Sequence, residues 1–122
     1  MVNIKERRLF KRVETRWPVA IVASDGRLFP GETENISQFG VNICCQELPL
    51  LDQKYCLEIK PPNGLTLHAL ARIGWIQAND SDKAPQLFSV GAEFIYMSED
   101  DAHSLSSLIA NQQKRELNNS HY

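Results

Sequence analysis

Up to Met97 the apolar residues come in short runs and period-two alternations, and beyond it their spacing changes to that of a helix. Thr15 to Ala23 is rich in β-branched and aromatic types (Trp17, Val19, Ile21, Val22) and predicts a strand, closed by the turn signal Ser24-Asp25-Gly26. Arg27 to Ile36 returns as a second strand, where Pro30-Gly31 predicts a bulge or an edge position. After a turn over Ser37 to Gly40, Val41, Ile43 and Cys45 alternate with Asn42 and Cys44, one face in and one partly out. Tyr55 to Ile59 is a short strand stopped by Pro61-Pro62-Asn63-Gly64. Leu65 to Ala78 is the longest strand. Its alternation puts Leu67, Ala69, Ala71, Ile73 and Trp75 on one face, which reads Trp75 as core, with Gly74 marking a bend. Residues 79–86 are loop, and Leu87 to Tyr96 is the last strand.

Ser98 then stands as an N-cap, followed by Glu99, Asp100 and Asp101 where a helix N-terminus favours negative charge. Ala102, Leu105, Leu108, Ile109 and Gln112 form a helical stripe that needs a surface to cover. Strands at short intervals with turn signals between them predict an all-β architecture with one helix: a small six-stranded antiparallel barrel and a C-terminal helix. The expected division is a flexible basic N-terminal arm over 1–14, the barrel over 15–97, the helix over 98–117 and a frayed tail over 118–122.

The length fits one domain, with enough chain to bury a core without staples. No apolar run approaches the ~18 residues of a membrane span, and the first residues lack the apolar segment of a signal peptide. Of the three cysteines, Cys44 and Cys45 point to opposite faces of a strand and Cys56 is distant, so a reduced, cytoplasmic chain is expected. Net charge is −2, but it is unevenly spread. Residues 1–16 hold Lys5, Arg7, Arg8, Lys11, Arg12 and Arg16 against Glu6 and Glu14, a net +4, and the remainder is −6. A basic arm on an acidic body suits a small anionic ligand; it suits DNA or RNA poorly, because most of the surface would repel a long polyanion.

Two stretches carry the candidate chemistry. Arg7-Arg8-Leu9-Phe10-Lys11-Arg12 contains an RxxxR spacing at Arg8 and Arg12, and Asn35-Ile36-Ser37-Gln38-Phe39-Gly40 fits (D/N)xSxxG. Taken alone, Asn35-Ile36-Ser37 reads as an Asx or Ser turn capping a strand. In this order, at the head of a short β-rich chain, the two resemble the ligand motifs of the PilZ domain, a family that binds the bacterial second messenger cyclic dimeric GMP (c-di-GMP). The resemblance extends from about Glu6 to Met97 and includes Gly40-Val41-Asn42-Ile43, Arg72-Ile73-Gly74-Trp75-Ile76 and Val90-Gly91-Ala92-Glu93-Phe94. The family fold it implies is a six-stranded β-barrel. Asn35 departs from the commoner Asp, offering one acceptor and a donor in place of two acceptors and a charge.

The resemblance implies that Arg8 and Arg12 take phosphate or guanine edges, with Arg7 beside them and Lys11 adding diffuse attraction. Arginine approaches phosphate, or guanine O6 and N7, with two parallel donors, which lysine cannot do. Arg8 and Arg12 lie about 13 Å apart in an extended segment and about 6 Å apart in a helical turn, so an arm could wrap its ligand. Asn35 and Ser37, two apart at a strand end, would share a face and read guanine, while Gly40 allows a positive φ or a close backbone approach. A lesser expectation is that Trp75 borders the site and stacks on a base. His68, His103 and His121 are scattered without metal-ligand spacing, and no catalytic triad stands out, so neither metal, other cofactor nor enzymatic activity is expected. A receptor of this size implies a separate downstream effector protein, acting on motility, polysaccharide export, adhesion or transcription. The rival readings are a ligand-free interaction module and, less well supported, a nucleic-acid-binding small barrel.

Overall fold

A computed structural model describes residues 12–79 and 86–119. Among these residues seven strands run in chain order: β1 (Val13–Glu14), β2 (Pro18–Val22), β3 (Leu28–Ile36), β4 (Gly40–Cys45), β5 (Lys54–Ile59), β6 (Leu67–Ala78) and β7 (Phe88–Met97). A helix, α1 (Glu99–Asn119), follows them. The antiparallel order β3-β2-β5-β6-β7-β4 closes on itself through β3–β4, a six-stranded barrel. β1 is no seventh stave. It extends β2 along the same edge of β3, pairing Val13 with Ile36 and Glu14 with Asn35. The interruption between β1 and β2 is stitched by Thr33, whose Oγ1 accepts from Trp17 N at 2.8 Å and lies 2.7 Å from Thr15 Oγ1. Strand pairing therefore starts at Val13, within the stretch that the sequence assigns to the arm.

Alternation explains which residues fill the barrel. Ile21, Ile36, Val41, Ile43, Leu57, Ile59, Leu67, Ile73 and Val90 are fully buried, one from every second position of each strand. α1 covers one end with Leu105 and Ile109, half-buries Leu108 and Gln112, and leaves Ala102 exposed. Its start is capped as the sequence predicts: Asp101 N donates to Ser98 Oγ at 3.2 Å, and Ala102 N to Ser98 O at 2.8 Å.

Pro30 and Gly31 do not break β3. The bonds Thr33 N to Trp17 O and Ala23 N to Arg27 O set the odd-numbered residues of β3 toward β2. Proline's missing donor therefore faces the β4 side, where β4 has already ended opposite Gly31. Gly31 is needed because a Cβ there would sit 2.8 Å from both Cys44 O and Ile43 Cγ2. The register slips elsewhere, between Thr33 and Asn35 on β3 and twice along β6–β7. Two of these slips shape the region described next.

Candidate functional site

The turn from β3 into β4 is held by its own residues. Ser37 N donates to Gly40 O at 2.9 Å, and Ser37 Oγ accepts from Phe39 N at 3.1 Å. Phe39 O in turn accepts from Phe94 N at 2.8 Å, tying the turn to β7. Gly40 has no positive φ; it is required because a Cβ would collide with the Ala92 carbonyl oxygen. Of the two roles open to Gly40, close backbone approach is the one realised.

Beside this turn lies an open cleft of about 540 Å³, lined by Arg12, Ser37, Phe39, Gly40, Asn42, Gly74, Trp75, Gly91, Ala92 and Glu93. Its size falls within the range of ordinary ligand pockets. Trp75 is in it, not in the core. Ile73 pairs with Ala92 but Trp75 pairs with Gly91, so Gly74 is an extra residue that reverses the in–out alternation of β6. Past the slip, Trp75 is 42% exposed and Ile76 packs against the core instead. The indole lies over Gly91, where a Cβ would collide with Trp75 Nε1.

Arg12 Nη1 donates to Asn35 Oδ1 at 3.0 Å. Asn35 and Ser37 do not share a face as the period-two reading has it, since strand β3 ends at Ile36 and Ser37 opens the turn. Only Ser37 lines the cleft; Asn35 reaches it through Arg12 and borders a neighbouring groove with Glu14, Glu32 and Glu34. Arg12, Ser37, Gly40 and Trp75 are thus brought together, with Asn35 one hydrogen bond away. Arg7, Arg8 and Lys11 lie outside the described residues. Asn42 and Glu93 belong to the cleft without belonging to either motif. The available signal for Asn42 is the hairpin itself, which sets it opposite Asn35. Glu93 carries none beyond its place in the β7 stretch.

The turn also touches the helix: Gln38 Nε2 donates to Ser106 Oγ at 3.0 Å. Among the described residues, no group of His, Cys, Asp and Glu could hold a metal ion, and no helix is long and apolar enough to cross a membrane.

Solved structures share this architecture. The PilZ domain of YcgR from Escherichia coli with c-di-GMP has a TM-score of 0.74 at 12% identity, over 93% of this chain and 97% of that one. YcgR in complex with c-di-GMP gives 0.75 at 14% identity over 94% of this chain, and the Bacillus subtilis inhibitor of motility, MotI/DgrA, gives 0.67 at 17% over 97%. At these identities the likeness is one of fold. The chain spans 50% of that YcgR chain and 57% of that MotI chain. No curated protein sequence matches it. The barrel closed by β3–β4 is matched in sequence by the family model of the PilZ domain over residues 6–111, and the chain belongs to the PilZ domain family.

Proposed function

We propose that this chain is a receptor for c-di-GMP, bound in the cleft between the Ser37–Gly40 turn and the Trp75 indole. The observation that carries the reading is the Arg12–Asn35 hydrogen bond at the edge of that cleft. It joins one residue from each motif and holds a guanidinium beside a built hollow. A carboxamide oxygen has two lone pairs, so Asn35 Oδ1 keeps one acceptor for a guanine N–H while bonded to Arg12. Ser37 Oγ accepts from Phe39 N and keeps its own O–H to donate. Trp75 offers a face for stacking. Arg8 and Arg7, with Lys11, supply further positive charge from the arm. The YcgR structures with c-di-GMP support the choice of ligand. The signal passes to a separate effector protein as the arm orders on the nucleotide, and MotI, an inhibitor of motility, supports a motility target.

Calorimetric titration of the purified chain with c-di-GMP at physiological salt, with GTP and cyclic mono-GMP as controls, tests this. Saturable binding at micromolar or tighter affinity, lost in a folded Arg8→Ala/Arg12→Ala variant, is the expected result. Absence of heat and of any thermal shift overturns it, and leaves a ligand-free interaction module.

A further inference from the structure

A second feature lies on the outside of the barrel and owes nothing to the cleft. Cross-strand pairing sets Leu28 opposite Val22, Val22 opposite Cys56, Cys56 opposite Leu70, and Leu70 opposite Tyr96. Leu28, Val22, Cys56 and Leu70 point outward, since their chain neighbours Phe29, Ile21, Tyr55, Leu57, Ala69 and Ala71 are buried, and Tyr96 is outward by its own exposure. They form one unbroken apolar row across β3, β2, β5, β6 and β7. Leu28 is 57% exposed and Tyr96 67%. Outward positions of a solvated barrel are ordinarily polar, so a continuous apolar row marks an interaction surface. Because barrel strands tilt by ~40°, such a row climbs the barrel as it crosses it, with Val22, Cys56 and Leu70 at its middle.

The rows on either side carry charge, and on β5 the signs differ. One step along the strands in one direction lie Glu58 and His68, directly paired, with His68 Nε2 3.9 Å from Glu58 Oε1. One step in the other direction lie Lys54 and Arg72, also directly paired, with Glu93 opposite Arg72 on β7. We propose that the occupant of this face is a second copy of the chain, docked about a two-fold axis that runs along the apolar row. Tangent to the barrel at Cys56, that operation lays Val22, Cys56 and Leu70 on their counterparts, with Cys56 on the partner's Cys56 at the centre. It also sets Glu58 against the partner's Lys54, with the partner's Arg72 in reach, and repeats the pair by symmetry. The other two-fold axis, along the strands, would oppose Glu58 to Glu58 and Lys54 to Lys54. Charge therefore selects one of the two symmetric arrangements. Three short rows make a footprint below the ~800 Å² per partner of a standard interface, so the dimer is weak and reversible.

Sedimentation of the nucleotide-free full chain over a range from micromolar to several hundred micromolar is the first test. A concentration-dependent monomer–dimer equilibrium is expected. Lys54→Glu and Glu58→Lys, both at accessible surface positions, should each weaken it roughly tenfold, and the double exchange should restore it. Leu70→Asp should abolish it, with Cys56→Arg as a second variant at a more exposed position should that chain fold poorly. A short bis-maleimide should link wild-type dimers and fail on Cys56→Ser. A wild-type chain that remains monomeric throughout overturns the proposal and leaves the face to a different protein. A dimer insensitive to Leu70→Asp and Cys56→Arg overturns the surface, and one not rescued by the charge exchange overturns the axis.

Discussion

Arg12 sits where two environments meet: its guanidinium is bonded to Asn35 and borders the cleft. A charged hydrogen-bonding group of this kind is worth about 1.5–3 kcal/mol, so Arg12→Ala should weaken c-di-GMP binding roughly ten- to hundredfold with an unchanged circular dichroism spectrum. Gly91 offers a sharper probe of Trp75. Gly91→Ala places a methyl where the indole lies, so the ring must move outward into the open cleft. Tryptophan emission should change, and affinity should fall about as far as in Trp75→Ala, roughly ten- to hundredfold. An unaltered emission spectrum and affinity in Gly91→Ala would remove Trp75 from the site. The motifs were legible in the sequence because arginine, asparagine, serine and glycine each announce a particular chemistry. The place of Trp75 was not. Strict alternation from Leu67 sends it inward, and Gly74, readable as a bend, does not say that the period slips there.

At the scale of elements, strands and helix follow from period and punctuation, and most boundaries fall within two residues of the sequence reading. Pro30-Gly31 left bulge and edge both open, and the edge is realised where β4 has ended; which side of β3 Pro30 faces is a property of the assembled barrel. The pairing of β1 was equally hidden, since two residues carry no period. α1 is held by the cap, by Leu105 and Ile109, and by polar links from Asp101 to His68 N, Ser106 to Gln38 and Glu116 to Glu14 N. Ser98→Ala should cost about 1 kcal/mol of stability, and Leu105→Ala, which empties a fully buried site, about 2–5 kcal/mol. Urea unfolding followed by fluorescence measures both. Equal effects of the two substitutions would mean that the helix does not seal the barrel end.

For the whole molecule, the three cysteines report on the layers of the fold. Cys56 is exposed, Cys44 half-buried and Cys45 buried. Burial, with Cys44 and Glu34 nearby, pushes the Cys45 thiol up to about 11, and burial with Glu34 and Glu32 also raises Cys44. At pH 8 a maleimide should therefore modify Cys56 first, Cys44 slowly, and Cys45 only on unfolding. Because the folded state holds the Cys45 proton more tightly than the unfolded chain does, its contribution to stability is complete below about pH 9. It declines as pH rises toward 11. A Tm that stays level through that window would argue against the burial of Cys45. The division of charge between a +4 arm segment and a −6 remainder was visible from composition, and the proposed binding of an anionic nucleotide should accordingly weaken as salt rises.

A closed barrel has no free edge along which a strand can slide, so the extra residue at Gly74 is trapped between fixed neighbours. Loss of that one residue would close the bulge and leave Trp75 opposite Gly91 and Ile76 opposite Val90, so the ring would stay on the cleft side while every strand kept its partners. A one-position gap at Gly74 is consequently silent about the side on which the ring lies; the pairing of Trp75 with Gly91 decides that.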